Sequence, residues 1–234
     1  MTKKAWLDAY DVKARLIPAA LTAIPAVVLY HYVLHAYFGG LFTDLNQVRL
    51  LGYVTIEVAA TFAIMQLNNR LVGKLLQAAI FNGGTLPTTQ FLMPGDPTLS
   101  IQAKRDIKKK FREDFGKELP LFDRNMPDAE RSRRIGELTA FMRNAMRGDL
   151  LVKNHNTEYG FVRNFCGGVF LATLISAVSI VYFWVFAFNK EALAVSLAML
   201  VGYGFVAALS KPLISYFGYN YAKVLIQQYL CTKL

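Results

Sequence analysis

A chain of 234 residues has the length of one or two domains. It is 54% hydrophobic yet carries a formal net charge of +10, and the two properties are segregated along it. Apolar runs near 20 residues long argue against a soluble bundle, and two cysteines, Cys166 at the start of one run and Cys231 in the tail, argue against a disulfide framework or a metal site.

The opening MTKKAWLDAYDVKAR has mixed charge and no small-residue cleavage site after it, which reads as a retained anchor and not a cleaved signal peptide. Four apolar runs follow. Leu16 to Phe38 and Phe165 to Phe188 carry no charge, nor does Ala192 to Ser210. Leu50 to Leu67 holds a single acid, Glu57. Uncharged runs of this length predict four transmembrane helices. Basic residues then set the orientation. Of the 26 Lys and Arg, all but Arg49 and Lys190 lie in the N-terminal segment, in the segment between the second and third runs or just beyond it, or in the tail. The positive-inside rule places those segments and both termini in the cytoplasm. The expected division is 1–68 with two spans, 69–160 as a cytoplasmic helical insert, and 161–234 with two spans and a tail. The fold class is all-α, a four-helix transmembrane bundle carrying that insert.

The insert is too large for a simple loop and small for an independent core. NNRLVGKLLQAAIF keeps a helical beat through Leu67, Leu71, Leu75 and Ala79, so the second span extends into the cytoplasm until Asn82, Gly83 and Gly84 stop it. GGTLPTTQFLMPGDP, Gly83 to Pro97, has too many prolines for a helix. It follows a helix and lacks the GK[ST] of a phosphate loop. It reads as a rigid coupling elbow, stiffened by Pro87, with Thr85, Thr88 and Thr89 offering hydroxyls for subunit contacts.

PTLSIQAKRDIKKKFREDFG predicts a helix capped by Ser100 or Thr98 and ended by Gly116. Ile107, Phe111 and Phe115 make an apolar stripe on it. Arg105, Lys109 and Arg112 make a basic one on another face. MPDAERSRRIGELTAFMRNAMRGD predicts a second helix, with Pro127 in its first turn, Gly148 at its stop and Ile135, Leu138, Met142 and Ala145 as its apolar face. HNTEYGFVRN then leads into the third span, with Thr157 as the cap and Glu158 near the helix start. Pro212 marks a break after the fourth span, and the tyrosine-rich tail reads as an interfacial or bundle-packing helix.

Each candidate for chemistry has a bland counterpart. Glu57 reads as a pore-lining or proton-relay group, or as an acid near the outer interface beside Arg49 or His35. Thr55, Glu57, Thr61 and Gln66 are the candidate pore lining, although only part of that set can share a helix face. His31 and His35 lie one turn apart, but no third ligand completes a metal site. His155 and Glu158 would suit a general base, without any nucleophile, metal or nucleotide motif to go with them. No cofactor is implied. The insert is more informative, because KRDIKKKFR places six bases in nine residues, with Phe111, Phe115 and Phe122 close in sequence. Bases with neighbouring aromatics suit a phosphate chain with stacked bases, a lipid headgroup, or simply a solvated surface. The candidate ligand residues are Lys104, Arg105, Lys108, Lys109, Arg112, Arg131 and Arg134.

GGTLPTTQFL and NHNTEYGFVRNFCGG, set on four spans with a basic helical insert, resemble small bacterial membrane proteins and the membrane effectors of nucleotide-signalling antiphage systems, including the Hailong type. That resemblance implies a gated, homo-oligomeric channel, for which a tetramer is expected. It also implies a partner nucleotidyltransferase that makes the signal. The ligand would be a nucleotide or a short single-stranded oligonucleotide held on the insert. The readings from other classes are a membrane-bound enzyme using His155 and Glu158, and a non-catalytic membrane partner protein.

Overall fold

The structure is a computed structural model that describes residues 9–38, 47–81, 85–123 and 125–232, and side chains within 9–33, 59–81, 85–123 and 125–232. Among these residues the fold is all-helical. The helices are α1 (Ala9–Asp11), running through a π-helical stretch (Val12–Leu16) into α2 (Ile17–Phe38), then α3 (Gln47–Ile80), α4 (Pro87–Leu92), α5 (Ile101–Phe115), α6 (Asp128–Ala145), α7 (Leu150–Val185), α8 (Lys190–Ala208) and α9 (Ser210–Cys231). Among the described residues, three segments are long and apolar enough to cross a membrane: Ala9–Val33, Leu150–Val185 and Lys190–Ala208. The second expected span falls within α3, but the side chains of its first half lie outside the described residues, as do Asn82, Gly83 and Gly84.

The chain forms two compact units. The first comprises Met1–Leu76 and Gly160–Lys211, and the second Gln77–Tyr159 and Pro212–Leu234. Residues 212–234, expected to go with the spans, therefore group with the insert.

In the first unit α2 is the polar centre of an apolar packing. A proline inside a helix lacks the N–H that would bond the carbonyl four residues back. Pro18 offers no N–H to the preceding turn, where the Ala14 carbonyl lies in a π-helical stretch with Ile17 bonded five residues back to Val12, and Pro25 leaves the Leu21 carbonyl open. Both find donors on neighbouring helices. Asn164 Nδ2 of α7 donates to the Ala14 carbonyl at 2.6 Å, and the Tyr203 hydroxyl of α8 donates to that of Leu21 at 2.6 Å. Helix-breaking residues are tolerated in hydrocarbon when neighbours satisfy the freed backbone in this way. Asn69 of α3 adds a third tie, donating from Nδ2 to Thr22 Oγ1 at 2.9 Å.

α3 and α7 cross closely through glycine. A Cβ placed on Gly167 would meet backbone of α3, with Asn69 O at 2.5 Å and Gly73 Cα at 2.8 Å. Ala19, Ala23 and Met65 pack beside this crossing, with Leu171 and Ile175 against them. Large apolar side chains stand exposed on the outer faces: Leu174, Val178, Val181 and Trp184 on α7, and Leu197, Val201 and Phe205 on α8. Such faces suit a lipid solvent.

In the second unit the core gathers Phe91 and Leu92 from α4, Ile107 and Phe111 from α5, Ile135 and Met142 from α6, Val152 from α7, and Ala222, Leu225, Ile226 and Tyr229 from α9. The tail is therefore the bundle-packing helix of the two alternatives, and it supplies the apolar mass that the insert lacks by itself. Pro212 sits in the first turn of α9, and the break falls earlier, at Leu209. A proline is harmless there, because first-turn N–H groups have no intrahelical partner.

Two expectations about helix limits are corrected. The segment expected to be a non-helical elbow contains α4, with Pro87 at its first position, where the fixed φ of proline favours a helix. Pro87, Thr88, Thr89, Phe91 and Leu92 are all buried, and Thr89 faces Gly136 of α6. Thr88 and Thr89 are thus packed inside their own unit, with no surface left for a subunit contact. Thr157 does not cap the third span. α7 already starts at Leu150, where Asp149 accepts the Val152 N–H at 2.8 Å, and Thr157 bonds back to the Lys153 carbonyl within the helix. Asp149 is the better cap because its carboxylate is anionic at the positive end of the helix dipole.

Candidate anion-binding site

α5 forms where the sequence places it. Ser100 Oγ accepts the Ala103 N–H at 3.1 Å, and Gly116, with φ 61°, ends the helix in the left-handed region. Ile107 and Phe111 are fully buried, which fixes the rotation of the helix and points Arg105, Lys108, Lys109 and Arg112 outward together. Their spacing of three, four and seven residues from Arg105 puts them on one face.

The chain after Gly116 turns back beside that face. Leu119 and Leu121 are fully buried, and the alternation leaves Glu118 and Phe122 on the surface. Arg105, Lys108, Lys109, Arg112, Glu118 and Phe122 together line a shallow cavity of about 200 Å³. Glu118 lies 3.5 Å from Arg112 Nη1 and 3.9 Å from Lys108 Nζ. Lys109 meets Glu113 only at 4.0 Å. Phe122 is 41% exposed, an apolar ring at the edge of a charged cavity.

The other bases of the cluster hold the fold. Lys104 is only 2% exposed, and its Nζ donates to the Met93 and Asp96 carbonyls at 2.6 Å each. Burial pushes its pKa below the usual lysine value, with Asp96 acting the other way. Lys110 pairs with Asp114 at 3.2 Å and lies over the ring of Tyr229. The buried Tyr229 hydroxyl donates to Asp114 at 2.9 Å, and burial, then Asp114, push its pKa well above the usual tyrosine value. Lys117 covers the ring of Phe141. Arg131 is 7% exposed, pairs with Asp128, and donates to the carbonyls of Asp123 and Met126.

Lys104 and Arg131 are therefore corrected from ligand residues to ties that hold the segments before α5 and α6. Both direct their bonded N–H groups at buried carbonyls, whereas the outward cations keep theirs at the surface. Arg134 is exposed but does not line the cavity. Of the three aromatics, Phe111 is core and Phe115 stacks on Tyr229, which leaves Phe122 for a ligand. Glu118 is not among the residues the sequence singles out, because it lies beyond the end of α5 and outside its periodicity. The signal was the glycine two residues before it.

Exchanging Lys104 or Arg131 for Met is expected to lower the stability of this unit by about 1–3 kcal/mol, through carbonyls left without donors. Arg112→Ala, at an exposed site, is expected to leave stability within about 0.5 kcal/mol. Thermal melts of the three variants check the assignment. A melt of Arg112→Ala as depressed as the other two would refute it.

Elsewhere, Thr61 and Gln66 are half-buried in the first unit, whereas the side chains of Thr55, Glu57 and His35 lie outside the described residues. His155 Nδ1 and Glu158 Oε2 are 3.2 Å apart, one turn along α7. Comparison with known protein families, curated proteins and solved structures gave no match to this chain.

Proposed function

We propose that this chain is a homo-oligomeric inner-membrane channel or pore-forming effector, controlled by a nucleotide or short oligonucleotide on the α5 cation ladder. The observation that carries this reading is the sorting of the basic cluster. Lys104, Lys110, Lys117 and Arg131 serve the fold, whereas Arg105, Lys108, Lys109 and Arg112 gather around one cavity with an exposed aromatic. Linked phosphates with a stacking base fit it, because cations neutralise the backbone and an aromatic ring takes a base face.

In this reading α3 supplies a fourth span, both termini lie in the cytoplasm, and the second unit is cytoplasmic. Of Thr55, Glu57, Thr61 and Gln66, the part that shares one helix face contributes to the path for ions. A tetramer in which a neighbouring nucleotidyltransferase supplies the signal would make this an antiphage device. Glu57 repeated around an axis would favour cations.

Purified chain in planar bilayers tests the proposal. Conductance is expected, with an open probability that short single-stranded oligonucleotides change. Arg105→Ala combined with Arg112→Ala is expected to abolish the oligonucleotide effect while conductance remains. A chain that conducts under no condition, with or without oligonucleotide, overturns the reading.

A further inference from the structure

We infer that Glu118 is a resident anion of the cation ladder, and that the ladder selects ligands with two or more linked phosphates able to displace it. The inference rests on the ligand site proposed above and concerns what that site admits. Arg105 and Arg112 lie seven residues apart on α5, about 10 Å along the axis. A single phosphate reaches the cations of about one turn. Glu118 already serves one turn, sitting against Lys108 and Arg112 at 3.9 and 3.5 Å. A lone phosphate bound there would replace one anion by another and gain little.

Arg105 and Lys109 make no ion pair with Glu118, but Lys109 already faces Glu113 at 4.0 Å. A lone phosphate on that turn therefore also gains little, whereas a chain of phosphates engages all four cations at once. The extra Coulomb attraction then exceeds the loss of the Glu118 contacts. Displacement is easy. The Glu118 side chain is 62% exposed, both its contacts are long, and exposed pairs of this kind are weak. Leu119 and Leu121 stay anchored in the core when the carboxylate swings outward. Glu118 thus sets a threshold of ligand charge.

The test is calorimetric titration of the full chain in detergent at low salt, with orthophosphate and inorganic tripolyphosphate as probes. Tripolyphosphate is expected to bind at least tenfold tighter than orthophosphate. Glu118→Gln is expected to tighten orthophosphate by about fivefold, the equivalent of about 1 kcal/mol, and tripolyphosphate by less. Equal wild-type affinities, or no tightening in Glu118→Gln, overturn the inference and leave the ladder standing as a site. Tripolyphosphate that fails to bind, or that binds the Arg105→Ala and Arg112→Ala variants as tightly as wild type, overturns the site and the inference with it. Glu118 is exposed, so the substitution leaves the fold intact, and an unchanged melting temperature confirms this.

Discussion

Gly167→Ala is expected to destabilise the first unit by about 2–3 kcal/mol, lowering its melting temperature in detergent by roughly 5–10 °C. The new methyl group would press on the Gly73 N and on Asn69 O and Gly73 Cα. These are backbone atoms, so no rotamer change relieves the overlap, and α3 and α7 must separate. Separation also draws Asn69 from Thr22, opening a buried hydrogen bond. Gly202 and Gly204 of α8 provide the control. A Cβ on either meets nothing within 4 Å. Alanine at those positions is expected to be neutral or to stabilise by up to about 1 kcal/mol, through helix propensity alone. Melts that rank Gly167→Ala with Gly202→Ala would show that the crossing is not close.

Asn164→Leu is expected to cost about 1–3 kcal/mol, because it leaves the buried Ala14 carbonyl without a donor. The second substitution, Pro18→Ala, makes the argument specific. It restores a backbone N–H one turn below that carbonyl, so it should recover about 1 kcal/mol or more in the Asn164→Leu background. In the wild type, where the carbonyl already has its partner, it should gain little. The two changes therefore couple, which a double-mutant cycle measures directly. Additive effects would mean that the carbonyl is not what Asn164 serves. Tyr203 and Pro25 offer the same cycle one step further along α2.

The helices were legible in the sequence wherever periodicity and caps agreed. Ser100 and Gly116 bound α5 as expected, and Ile107, Phe111, Ile135 and Met142 are core. α4 was not legible from proline content, because proline breaks a helix in its interior but suits its first turn. The partners of Pro18 and Pro25 were not legible either. The sequence shows which carbonyls two prolines must free, but only the tertiary fold brings residues 164 and 203 to them. The same limit explains Lys104 and Arg131. A run of bases gives charge, whereas burial decides which cations keep their donors for a ligand. The turn after Gly116 brings Glu118 back onto the ladder, and helical periodicity says nothing about such a return.

The second unit has a consequence for the order in which the molecule is made. Its core draws on residues 77–159 and on α9, and everything between belongs to the other unit. During synthesis the insert emerges with its apolar face uncovered. That face stays uncovered while the segment containing two helices long and apolar enough to cross a membrane is translated. Domains otherwise fold as they appear, from the N-terminus onward. Here the basic ladder is braced only after α9 arrives and the Tyr229 hydroxyl reaches Asp114. The basic ladder is therefore completed last, after the apolar stretches of α7 and α8 have been translated, and a chain halted before α9 carries the charges of the ladder without the scaffold that sorts them.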